Sequence, residues 1–189
     1  MLRFYKLIEI LVSFQSLVVA TMLPVYIPLP FIDKSSNSFE MTITMQIPTI
    51  ILLTLIFNKK VVFRAFSIYI IIGLFILPVF HQGGSIGYLL TPNFGYLLGY
   101  YPLIKIIDNL NTRNKINVGN FLKNGFIAIG AMHLIGIFYN LLQVIFYSQF
   151  NIFLYNLGKY TLGKIGYHLL MLFPLLLLIK PIERLKHNK

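Results

Sequence analysis

The chain has 189 residues, 57% of them hydrophobic and only 11% charged, against about 25% charged in a soluble domain. One water-soluble core cannot hide that much apolar surface, so lipid is the expected solvent. The absence of cysteine excludes disulfides and thiolate metal sites. The formal net charge is +11, but its cations are scattered between apolar stretches. That pattern sets nucleic acid aside as a partner and makes Lys and Arg markers of membrane topology.

A membrane-spanning helix needs about 20 mostly apolar residues. The first candidate is 7–23, ended by Pro24, Pro28 and Pro30, with Glu9, Ser13, Gln15 and Ser16 giving it a polar side. Glu9, three residues after Lys6, reads as a local ion pair or as part of a partner contact. The second candidate is 41–57, stopped by Asn58-Lys59-Lys60, and the third is 61–80. A shorter fourth covers 94–107, a fifth 121–147, and a sixth 165–179, closed by Lys180-Pro181. With the N-terminus inside, thirteen Lys and Arg fall on the inner side and three (Lys34, Lys159, Lys164) on the outer. The expectation is an all-α integral membrane protein. Its six transmembrane helices form one bundle, residues 1–189 make a single membrane domain, and both termini are cytoplasmic. The first helix is expected to be retained, because its apolar run outlasts a signal core and no small-x-small site precedes Pro24.

Residues 77–100 carry five glycines and two prolines but no charge, apart from any proton on His81. Irregular backbone at membrane depth is tolerated where protein or a watery cavity meets it. This outer segment is therefore a lid or wall over an outward-facing pocket, or else a plain tight connection. The outer segment 24–40 has a similar character, and the helix that follows opens with Thr42-Ile43-Thr44-Met45-Gln46. Intramembrane amides and hydroxyls need partners. Two apolar outer loops beside a polar helix mouth suit a small amphipathic solute.

A set of motifs follows in order: Pro28-Leu29-Pro30, Ile43-Thr44-x-Gln46, Gly73, Leu77-Pro78-Val79-Phe80, Gly83-Gly84, and Pro92-x-x-Gly95-Tyr96-Leu97-Leu98-Gly99. The set resembles the biotin-specific substrate-capture subunit, the S component or BioY family, of energy-coupling factor (ECF) transporters. The likeness is dense over 28–100 and thin elsewhere. It implies six helices, a biotin cavity near the outer face, and a multi-pass place in the cell membrane. The implied partners are a membrane coupling (T) subunit and two cytoplasmic ATPases. No chemistry is done on the substrate. The chain departs from the family at two places. A Thr-Gly pair is replaced by Asn93-Phe94, and the Pro-Gly-Asp-x-x-Lys opening of helix six becomes Leu162-Gly163-Lys164-Ile165-Gly166-Tyr167. Lys164 stands where an acid is expected and Tyr167 where lysine is.

Biotin presents a ureido ring that needs donor and acceptor, an apolar sulfur ring with a valeryl chain, and a carboxylate. Gln46 and Asn93 offer both amide functions. Gly83 and Gly84 could give backbone N–H donors, and Phe80, Tyr88 and Tyr96 could wall the rings. Lys164 could hold the carboxylate, with Tyr167 and His168 a turn deeper. His133 heads a polar stripe with Gly136 and Asn140 and could reach the ligand or bond across helices. The family docks on its coupling subunit through small residues of helix one, here Ser13, Ser16 and Ala20. Membrane acids are nearly absent and the four histidines lack i, i+4 spacing. Catalytic residues, metals and cofactors are therefore not expected. The competing readings are an S component for another vitamin and a pocketless assembly or scaffold protein.

Overall fold

The first helix, α1 (Leu2–Met22), runs without glycine or proline and ends before Pro24. Ser13, Leu17, Ala20 and Thr21 share its buried face, whereas Phe4, Leu11, Val19 and Met22 point outward. Its buried hydroxyls bond back along the helix, Ser13 Oγ to the Glu9 carbonyl at 2.7 Å and Thr21 Oγ1 to the Leu17 carbonyl at 2.8 Å. This is how polar residues are tolerated where water is absent. The ion pair seen among the described residues is Lys59–Asp108, so Glu9 does not pair with Lys6.

The computed structural model describes residues 2–25, 43–81, 83–111, 116–147 and 150–187. The Pro28-Leu29-Pro30 motif, Thr42 and most of the first outer loop lie outside them. On either side, β1 (Pro24–Val25) and β2 (Ile43–Thr44) pair antiparallel, with Pro24 opposite Thr44.

Next comes α2 (Gln46–Ile56), buried on nearly every side through Ile47, Ile50, Ile51, Leu53 and Leu55. Its 11 residues rise about 16 Å, short of the about 30 Å of a hydrocarbon layer. Asn58 caps α3 (Lys59–Phe75), its Oδ1 accepting from the Lys60 amide at 2.9 Å. This helix stops at Phe75, not at the expected residue 80. Pro78 disfavours helical backbone just ahead of it, and Ile76 has already left the helix at φ −123° and ψ −55°. A short 3-10 turn, Ile86–Leu90, then leads into α4 (Pro92–Leu98) and α5 (Tyr100–Asp108). The fourth rod is therefore bent at Gly99. A Cβ there would come 2.6 Å from the Met132 carbonyl oxygen on the neighbouring helix.

That neighbour is α6 (Val118–Tyr147), 30 residues long. The last rod begins well before the expected residue 165. It comprises α7 (Phe150–Asn156), a π-helical turn (Leu157–Leu162), α8 (Gly163–Leu170) and α9 (Leu172–His187). Pro181 does not close it; α9 carries that proline inside. Among the described residues, three stretches are long and apolar enough to cross a membrane: Phe4–Met22, Val118–Ile145 and Phe150–Arg184. The core between the rods is filled by side chains such as Phe66, Tyr69, Leu103, Ile107 and Phe121. At the end away from residues 80–91, polar bolts tie helix ends together. Lys59 Nζ sits 2.9 Å from Asp108, and Asn111 Nδ2 donates to the Thr54 carbonyl at 2.7 Å.

Candidate functional site

At the opposite end the rods part around a pocket with about 590 Å³ of empty space, including its open mouth. Ile43, Thr44 and Gln46 form one wall. Asn93, Tyr96, Leu97 and Tyr100 come from α4 and α5, Met132 from α6, and His81 and Tyr88 from the turn before α4. Tyr160, Lys164 and His168 supply the facing wall.

Gln46 lines this space, but its amide is committed to the protein. Nε2 donates to Thr21 Oγ1 at 2.7 Å and to Tyr69 Oη at 2.9 Å. Oε1 accepts from Thr44 Oγ1 at 3.3 Å and from Tyr100 Oη at 3.4 Å. Both donors and both lone pairs are thus occupied. The Thr21 and Tyr69 hydroxyls lie 2.9 Å apart, and Tyr69 directs its one proton either to Thr21 or to the Val79 carbonyl at 3.2 Å. One amide therefore joins α1, α2, α3 and α5.

Asn93 differs. It lines the pocket, and among the described residues its side chain has no hydrogen-bond partner. Tyr96 is seated by Gly136, where any Cβ would strike its ring, and its hydroxyl lies 2.6 Å from Thr161 Oγ1. Lys164 Nζ stands 5.4 Å from the centroid of the Tyr160 ring, within cation–π range. His81, half-buried, has its pKa lowered from 6.5 by burial first and by the Lys164 charge second. Burial likewise pushes the Tyr88 hydroxyl well above its ordinary pKa, with the nearby Tyr69 and Tyr160 adding to the effect.

The remaining predicted residues stand behind the lining. Phe80 packs at 5.3 Å from the Tyr69 ring and 4.6 Å from the Tyr88 ring. Gly83, at φ 124°, bonds its amide back to the Phe80 carbonyl at 3.1 Å. Gly84 is pressed against the Gly73 carbonyl and Pro78, with no room for a Cβ. Tyr167 is half-buried outside the lining. His133 meets His168 through Nε2 and Nδ1 at 3.0 Å. Of the docking trio, Ser13 and Ala20 are buried in the bundle and Ser16 is half-exposed. His81, Tyr100, Tyr160 and His168 are lining residues absent from the predicted set. The spacing of Tyr160, Lys164 and His168, i, i+4 and i+8, was the available signal for two of them.

The family model described as the BioY family matches residues 5–173. The chain belongs to the BioY family. A curated relative from Lysinibacillus sphaericus, described as a probable biotin transporter BioY, is 40% identical over 74 residues, 39% of this chain. That aligned stretch is 33% of the relative's own length. Among solved structures, the S-component for biotin from an ECF-type ABC transporter superposes with a TM-score of 0.63. It is 17% identical, and the match covers 98% of this chain and 92% of that one, a likeness of fold. In this BioY-family chain the pocket mixes aromatic faces, one unengaged amide and one ammonium. No group of three or more His, Asp or Glu among the described residues is placed to hold a metal. The arrangement can bind and orient a small amphipathic anion.

Proposed function

We propose that this BioY-family chain captures biotin as the substrate-binding subunit of an ECF-type transporter in the cytoplasmic membrane. The observation that carries the reading is the pocket itself. It is lined by tyrosines, takes His81 and Tyr88 from the segment before α4, and has Asn93 and Lys164 on different walls. Asn93 both donates to and accepts from the ureido group, and Lys164 holds the carboxylate. Tyr88, Tyr96 and Tyr160 cover the fused rings. Phe80, Gly83 and Gly84 act from behind, holding Tyr88 and the turn in place, while His133 acts through His168. Tyr167 stands outside the lining.

In the bilayer, six spanning units form the single domain. They are α1, α2 with its flanks, α3, the bent α4–α5 rod, α6, and the α7–α9 rod, with both ends cytoplasmic. The charge asymmetry between loops supports that orientation. The partners are a membrane coupling subunit and two ATPases, docked in part through Ser16 on α1. Titration calorimetry of the purified chain tests the reading: biotin binds at micromolar concentration or tighter. Absence of heat together with absence of competition against labelled biotin ends it. One observation favours a second reading, an S component for another vitamin: Lys164 stands where the family carries an acid. A vitamin panel in the same assay separates the two.

A further inference from the structure

His133 and His168 touch inside the bundle, at the pocket wall that His168 helps to line. Their Nε2–Nδ1 distance is 3.0 Å, and the two side chains are 2% and 8% exposed. Such a contact needs one N–H and one bare nitrogen, which leaves two arrangements. In the first, His133 donates from Nε2 and keeps a bare Nδ1, and the His168 proton sits on Nε2. In the second, His168 donates from Nδ1, and His133 carries its proton on Nδ1.

The surroundings of His133 decide between them. Its Nδ1 is the buried side-chain polar atom without a partner among the described residues. A buried N–H with no acceptor is costlier than a bare lone pair. The first arrangement is therefore favoured, and His168 turns an N–H, not a lone pair, to whatever lies beyond its Nε2. His168 lines the pocket, and its Nδ1 is spent on His133. Lys164 precedes it by one turn on α8 and lines the same wall. A wall bearing an ammonium and an imidazole N–H is rich in donors. It matches a carboxylate, which only accepts; the ureido group, needing both functions, faces Asn93.

We propose that Lys164 and His168 form a two-donor cradle for the ligand's carboxylate, with His133 as the positioning residue that fixes His168 as a donor. The proposal rests on the biotin-capture reading above. It makes the protein selective for the free acid over uncharged derivatives.

The test compares biotin with biotinamide and biotin methyl ester on the full-length chain in detergent. Wild type binds the acid roughly tenfold to a hundredfold tighter than either derivative, the worth of hydrogen bonds to a charged group. His168→Phe lowers acid affinity and leaves derivative affinity nearly unchanged, so the ratio collapses. His168→Gln, which can still donate, recovers part of it. Nitrogen-15 spectra of labelled histidine show His168 protonated at Nε2 in wild type and as mixed tautomers in His133→Phe. These spectra and the acid-to-amide ratio of the unmutated chain need no folded variant of His168. Equal affinity of wild type for acid and amide, an unchanged ratio in a folded His168→Phe, or an Nδ1-protonated His168 overturns the cradle while leaving biotin capture intact. Failure of all three ligands to bind wild type overturns the capture reading and the cradle with it.

Discussion

Substituting Gln46 by leucine separates the two ways a pocket-lining amide can act. Its four hydrogen bonds all run to protein. Without it, Tyr69 keeps the Val79 carbonyl as acceptor and Thr21 keeps the Leu17 carbonyl. Half-buried Thr44 can turn toward the pocket. Tyr100, only 7% exposed, loses its acceptor. One orphaned buried hydroxyl costs about 1–3 kcal/mol. For a chain of this size that is a fall of about 2–12 °C in Tm. Biotin affinity should change by less than about fivefold, under 1 kcal/mol, because no ligand contact is lost. Asn93→Leu is expected to do the reverse, leaving Tm within error and weakening biotin by roughly 5–150-fold, the same 1–3 kcal/mol spent on an unpaired ureido group. Thermal melting by far-UV circular dichroism suits a chain without tryptophan, and calorimetry gives the affinities. A Gln46→Leu protein that melts like wild type but no longer binds biotin would refute the strut assignment and make Gln46 a ligand contact.

Gly73→Ala should destabilise by about 1–3 kcal/mol through overpacking, since its Cβ would fall 2.2 Å from the Phe80 ring; an unchanged Tm would show that the ring moves freely. The lowered pKa of His81 means that the folded chain resists the proton more than the unfolded one. Stability is then full above the ordinary value of 6.5, falls as the pH drops below it, and levels off below the folded pKa; melts of His81→Gln should lack that slope, and a retained slope assigns it elsewhere. Ala20→Leu should cost about 1–3 kcal/mol of stability because Ala20 is 2% exposed, whereas Ser16→Leu should keep Tm and reduce co-purification of the coupling subunit. Intact co-purification with Ser16→Leu would move the docking face off α1.

The ends of α1 before Pro24 and of α2 before Asn58-Lys59-Lys60 were legible, because proline or charge bounds the apolar run there. The end of α3 was not, because hydropathy continues unbroken from Phe75 to Phe80 while the backbone turns ahead of Pro78. Nor was the start of the last rod. Asn151, Asn156, Lys159 and Thr161 dilute its apolar signal, and the π-helical turn at Leu157–Leu162 breaks the 3.6-residue period on which pattern reading depends. Pro181 reads as a stop, yet α9 continues through it. Asn93, Tyr88, Tyr96 and Lys164, singled out from residue type and place, line the pocket. Gln46 was found as a liner, but composition cannot tell which neighbours consume its amide. Phe80 and Gly83-Gly84 share the turn with His81, and only the fold decides that His81 fronts the cavity while they back it.

The knot around Gln46 also bears on how the chain can drift over generations. Thr21, Tyr69 and Tyr100 sit on three different rods but draw on one amide. The order of loss matters: giving up the Tyr100 hydroxyl leaves Gln46 Oε1 still served by Thr44, whereas giving up Gln46 first strands the Tyr100 hydroxyl in a dry site. Lineages that abandon the knot should therefore lose the Tyr100 hydroxyl before, or together with, Gln46.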